Sequence, residues 1–175
     1  IKLKKKNISK KINIYNSFDS LSIIFNKKID YVMSSISGIE GLSPTLNIIK
    51  YTKIIAIANK EVIICGWNFL NKQLKKYKTK FIPIDSEHFS IYYALKNNLD
   101  INNIYLTASG GPLYNIPSSD YKKIKITDVV KHPNWSMRKK ISVDSATLMN
   151  KVFEVIEAKK IFNIPYNKIN ILITC

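Results

Sequence analysis

The chain reads as an α/β protein built on parallel strands. Short apolar runs rich in Ile, Val, Phe and Tyr recur along it. Each leads into a polar or glycine-bearing turn, and each turn into a stretch whose apolar residues fall three or four apart. Strand, turn and helix repeated in that order form the unit that lays parallel strands side by side with helices on their faces.

Composition narrows the class further. At 175 residues and 46% hydrophobic, the chain can bury a core and is the size of one domain or of parts of two. The longest apolar runs, such as Ile54-Ile55-Ala56-Ile57-Ala58, are strand-sized, so neither a transmembrane span nor a secretory signal is expected. Cys65 and Cys175 are far apart and fit no metal spacing, which reads as reduced thiols in a cytosol-like compartment. The formal charge of +16 comes from lysines scattered among Asn and Ile over the whole length. That scatter points to compositional drift rather than to a basic face. Nucleic acid and membrane are therefore not the expected partners, whereas an anionic small substrate would be favoured. The densest cluster, Lys2 to Lys11, reads as a solvated segment.

Taken in order, Phe18, Leu21, Ile24 and Phe25 give a short amphipathic helix. Tyr31 to Ser34 is a strand, and Gly38-Ile39-Glu40-Gly41-Leu42 turns into a helix ending near Lys50. Lys53 to Ala58 is the next strand, and Glu61 to Lys76 a helix burying Val62, Leu70 and Leu74. Between them lies Asn59-Lys60-Glu61, at a strand's carboxyl end where open α/β sheets bind ligands. Asn59 fits a helix N-cap equally well.

Phe81 to Ile84 is a third strand, and it delivers Asp85-Ser86-Glu87-His88 before a helix to Lys96. If extended, Asp85 and Glu87 share a face and can grip one hard cation. The alternative is that Asp85 or Ser86 caps the following helix, and for these residues alone that is the commoner arrangement. Asn103 to Ala108 is a fourth strand ending in Ser109-Gly110-Gly111-Pro112, which suits either a phosphate-binding loop or a tight turn. Loop and short helices follow to Lys131. His132-Pro133-Asn134-Trp135-Ser136-Met137-Arg138 has no period and reads as a lid over a ligand or a plug on the core. One helix is expected from Ser145 to Phe162, with Asn150, Glu154 and Glu157 on one polar stripe and Lys151 beside them. The stripe faces solvent or an internal site; in the second case Glu154 joins Asp85 and Glu87. Ile169 to Ile173 is a last strand, after which more protein is expected.

Ala58-Asn59-Lys60-Glu61, Pro83 to His88, Ser109 to Pro112, His132 to Met137 and Lys140 to Thr147 with Asn150-Lys151 occur together in this order. In this the chain resembles the 1-deoxy-D-xylulose 5-phosphate reductoisomerases of the non-mevalonate isoprenoid pathway, from about Asp30 to Ile173. The resemblance implies the C-terminal part of a Rossmann-like NADPH-binding domain over residues 1–84 and an α/β catalytic domain over 85–175, incomplete at its C-terminus. It implies NADPH and Mg2+ or Mn2+ as cofactors, a small phosphorylated sugar as substrate, a homodimer for the full enzyme, and a bacterial cytoplasmic or plastid-type location. The glycine-rich pyrophosphate fingerprint of such domains is not in the sequence, so a fragment inactive by itself is expected.

By motif position, Asp85, Glu87 and Glu154 would hold the metal, and with Lys60 would form the catalytic group. Lys60, Ser86, Glu87, Ser109, His132, Ser145, Asn150, Lys151 and Glu154 would surround the substrate. Asn59, Glu61 and Arg138 would meet the cofactor, and Trp135 and Met137 would belong to a closing flap. Two positions depart from the family pattern. Arg138 and Val152 stand where glycines are usual, and Arg138 would either obstruct the cofactor or pair with one of its phosphates. Thr174-Cys175 replaces the usual His-Pro. A silent fragment and a basic RNA-binding module are the competing readings; the second would need aromatic and lysine residues clustered on one face.

Overall fold

The computed structural model describes residues 14–15, 17–18, 21–97, 101–130 and 139–174. Its strands form two parallel sheets. In the first, β1 (Ile29–Ser34), β2 (Thr52–Ile57) and β3 (Lys80–Pro83) lie in that order, Tyr31 opposite Ile54 and Ile55 opposite Phe81. In the second, β4 (Ile104–Ser109) pairs with β5 (Ile169–Thr174), Leu106 opposite Ile171. The α/β class with parallel strands is thus the observed fold, and strand ends differ from the sequence expectation by one or two residues.

The middle strand shows why the first sheet forms. Ile55, Ala56 and Ile57 are essentially inaccessible, the continuous burial of a parallel strand covered on both faces. Around them pack Ile49 of α2 (Leu42–Ile49) and Val62 and Leu70 of α3 (Lys60–Tyr77). Gly66 lets α3 approach α2, because a Cβ there would stand 2.3 Å from Leu42 Cδ1. The expected helix near Phe18 is a single turn, α1 (Leu21–Ile24), with Leu21 in the same core. The second sheet is covered on one face by α4 (Ser86–Lys96) and α7 (Met149–Phe162). Ile91, Ile104, Leu106, Ala158 and Ile169 form its core. Its other face leaves Tyr105 and Leu172 exposed.

One expectation is corrected. The helix read from Ser145 to Phe162 is two helices, α6 (Lys139–Ala146) and α7, preceded by the short α5 (Ile126–Val130). The break has a local cause: the Thr147 hydroxyl bonds back to Val143 O at 2.9 Å, and Leu148 takes a left-handed conformation with φ 58°. A threonine bonding its own preceding turn competes with helix continuation. In consequence Asn150 and Lys151 lie in the first turn of a new helix. That helix packs against α3 and α4 and so ties the two sheets together. Among the described residues no helix is long and apolar enough to cross a membrane.

Candidate active site

The carboxyl ends of β1, β2 and β3 open on one cavity of about 770 Å³, reached by Gly38, Lys60, Glu61, Asp85, Asn150 and Glu154 among others. Asn59 builds the floor. Its side-chain oxygen accepts from Val62 N at 2.9 Å, capping α3, while its amide donates to Gly38 O at 2.8 Å and to Ile36 O. The N-cap reading of Asn59 is therefore the arrangement seen, and the same side chain pins the Ile36–Gly38 loop. Capping starts α3 at Lys60, whose side chain points across the cavity.

Asp85 stands at the N-cap position of α4, yet its side chain makes no capping bond. Nor does Ser86 cap; its hydroxyl donates to Glu87 Oε2 at 2.8 Å. Both capping alternatives are thus absent here. The two carboxylates do not meet by strand alternation either, since Ser86 and Glu87 are already helical. Glu154, 1% exposed, comes from α7, so the polar stripe of that helix faces inward. One oxygen from each of Asp85, Glu87 and Glu154 lies within 4.8 Å of the others.

Two ammonium groups sit among these carboxylates. Lys60 Nζ is 2.7 Å from Asp85 Oδ2 and 3.4 Å from Glu154 Oε1, and donates to Asn150 Oδ1 at 2.9 Å. Lys151 Nζ is 2.5 Å from Glu154 Oε2 and 3.7 Å from Glu87 Oε1. Asn150 completes the ring by donating to Glu154 Oε1 at 2.6 Å. Burial works against the Lys60 charge, but Asp85 and then Glu154 and Glu157 outweigh it and hold its pKa above the ordinary lysine value. Glu87 is likewise disfavoured as an anion by burial. The Ser86 hydroxyl, a backbone N–H, the Asp85 carboxyl and Lys151 nevertheless bring it down to about 2. Every charge in the cluster thus has a counter-charge or donor, the condition for keeping ionised groups out of water.

Elsewhere the brought-together set is partial. Gly111, at φ 71°, abuts the backbone of α6: a Cβ there would lie 3.1 Å from Ser145 O. The loop after Ser109 and the helix end at Ser145 are therefore neighbours, with Ser109 exposed and Ser145 half-buried. Val152 is 44% exposed, so the residue in place of a glycine meets no steric obstacle. His132, Trp135, Met137 and Arg138 lie outside the described residues. Sequence reasoning missed two buried groups, His88 and Glu157. Burial pushes Glu157 up to about 8, with Lys60 opposing and Asp85 and Glu154 adding to the rise. Its place on the stripe with Glu154 was the available signal.

An α/β scaffold that gathers three carboxylates and two lysines at its strand ends defines a class of protein, one whose oxygen donors suit a hard cation beside a cavity. Two family models match, that of 1-deoxy-D-xylulose 5-phosphate reductoisomerase over residues 1–66 and that of its C-terminal domain over residues 81–162. The chain belongs to the 1-deoxy-D-xylulose 5-phosphate reductoisomerase family. It is 62% identical to the enzyme so named from Pelagibacter ubique over 93% of its own length and 43% of the relative's. The Sulfurihydrogenibium relative is 48% identical over 89% of the chain and 41% of its own length. Among solved structures, a DOX-P reductoisomerase in complex with NADPH, fosmidomycin and magnesium matches with TM-score 0.71 and 35% identity over 85% of this chain and 39% of that one. The Zymomonas mobilis enzyme with NADPH gives 0.72 and 36% over 82% and 37%. The chain therefore spans about two fifths of the length of the curated relatives it matches.

Proposed function

We propose that this chain supplies the metal and substrate groups of a 1-deoxy-D-xylulose 5-phosphate reductoisomerase. That enzyme rearranges the phosphorylated sugar and reduces the product with NADPH to 2-C-methyl-D-erythritol 4-phosphate. The observation that carries the reading is the convergence of Asp85, Glu87 and Glu154 beside the cavity. An all-oxygen donor set of this charge suits Mg2+ or Mn2+, and the ammonium groups of Lys60 and Lys151 already pair with these carboxylates. When bound, such an ion supplies Lewis-acid polarisation of the sugar's carbonyl and hydroxyl oxygens.

The chain's own residues do the rest. Lys60, protonated and spanning carboxylates and cavity, donates to a substrate oxygen. Ser86 lies against Glu87 and offers a neutral contact beside the ion. Asn150 and Lys151 orient Glu154 from the same helix turn while presenting donors to the sugar. Ser109, the Gly110-Gly111 turn and Ser145 take the phosphate, a reading supported by the close approach of Gly111 to Ser145; His132, outside the described residues, is the further donor that the family motif implies. Glu61, which borders the cavity, contacts the cofactor, and Asn59 acts through the loop it holds. NADPH, when bound, would supply the hydride; the roles that the family motif implies for Arg138 at the cofactor and for Trp135 and Met137 on a closing flap concern residues outside those described. The domain division falls after residue 84, where the chain leaves the first sheet. The whole enzyme is a homodimer acting in the cytoplasm or a plastid-type organelle.

The test is NADPH oxidation by the whole protein on adding 1-deoxy-D-xylulose 5-phosphate with Mg2+ or Mn2+. Asp85→Asn should lower kcat at least about a hundredfold, the loss expected when roughly 3 kcal/mol of charge stabilisation is removed. Metal-independent turnover, or turnover unchanged by the substitution, would overturn the assignment.

A further inference from the structure

Behind the carboxylate triad lie two buried groups that the proposed reaction does not use. His88 is fully buried and Glu157 is 1% exposed, yet His88 Nδ1 and Glu157 Oε2 have no hydrogen-bond partner among the described residues. Both atoms, with one oxygen of Asp85, lie within 4.8 Å of one another and border a cavity of about 250 Å³ lined also by Lys60, Ile63 and Ile84. Two unpartnered polar atoms at such depth are costly unless something meets them.

The imidazole is set for ligation. Its Nε2 lies 2.9 Å from the carbonyl oxygen of Glu154. A carbonyl only accepts, so Nε2 carries the hydrogen and Nδ1 of the neutral ring presents its lone pair. Fixing a ligating histidine through its other nitrogen is how metal sites set tautomer and orientation. Stacking on Phe162 holds the ring plane as well.

We propose that Asp85, His88 and Glu157 form a second cation site, selective for a borderline first-row dication of the Zn2+ class and sharing Asp85 with the oxygen-only triad. One imidazole with two carboxylates suits such ions, while the neighbouring all-carboxylate set suits Mg2+ or Mn2+. Bonds of about 2.0–2.2 Å place donors at a tetrahedral angle roughly 3.4 Å apart. The 3.9 Å between His88 Nδ1 and Glu157 Oε2 therefore needs only a small closure. An ion here draws Asp85 from Lys60 and from the first site, so its occupation opposes that site's use. The inference goes beyond the reductoisomerase reading and does not require it.

The test titrates the purified chain with Co2+, a spectroscopic substitute for Zn2+, reading hyperfine-shifted imidazole protons by NMR. Wild type should show a ligated imidazole whose Nε2 proton is retained. Glu157→Gln, isosteric and thus conservative of the fold, should weaken Co2+ at this site at least about tenfold, and His88→Asn should remove the imidazole signals. Glu87→Gln should leave them in place, because Glu87 belongs only to the other site; this separates failure of the triad from failure of the second site. No imidazole shift in wild type, or shifts of equal affinity in Glu157→Gln, would overturn the proposal.

Discussion

Glu157 shows how one buried carboxyl links site to stability. Its pKa is raised from 4.5 to about 8, chiefly by burial. The fold thus favours the neutral acid: the stability it supports is whole below about pH 4.5 and is lost as pH rises toward about 8. With divalent cations chelated, Glu157→Gln should gain on wild type by on the order of 1.4 kcal/mol per pH unit across that window. Urea unfolding of the pair at pH 5 and pH 8 checks this; an equal difference at both would contradict it. Glu87 behaves oppositely. Its depressed value of about 2 means that its contribution, present above about 4.5, fades only as the pH falls toward 2.

The same residues mark what the sequence could disclose. Asp85, Glu87 and Glu154 were legible together because motifs in register located them, though local reading favoured a cap for the first pair. His88 and Glu157 were not. A histidine within a motif and a glutamate on a helix stripe look alike whether they face solvent or interior, and only packing decides between those.

At the scale of elements, α3 was readable at both ends to within a residue and α7 only at its C-terminal end, Phe162. Asn59 caps α3, acidic Glu61 lies in its first turn and Lys75 and Lys76 in its last, each favourable to the helix dipole. Asn59→Ala removes the bond to Val62 N and frees the Ile36–Gly38 loop. It should cost about 1–2 kcal/mol for the cap alone, read as a lowered denaturation midpoint with unchanged slope. A midpoint shift below about 0.5 kcal/mol would deny the cap its role. The break before α7 was hidden because the apolar period runs through Thr147 and Leu148. Nothing in that period reports a left-handed backbone, which costs a residue such as leucine about 1–2 kcal/mol and is sustained by the packing on either side. Asn150 and Lys151 meet Glu154 through the i, i+4 and i, i+3 spacing of α7 itself.

Across the whole molecule, the alternation and apolar runs identified strands and faces but not partners. Parallel pairing is set by crossovers of many residues, so β4 pairing with β5 rather than joining β1, β2 and β3 follows from tertiary packing around Ile104, Leu106 and Ala158. Charge reads similarly: a net +16 suggested anionic partners in general, while the acidic residues that matter converge from the start of α4 and from α7 on a single point. The proposed divalent-cation site lies at this point. Crystals of the chain grown with Mn2+ test it most directly, through the anomalous difference map. A peak bonded to Asp85, Glu87 and Glu154, with Lys60 and Lys151 moved off those oxygens, is the predicted result. Full-strength density for both ammonium groups on the carboxylates, with no manganese peak between them, would contradict it.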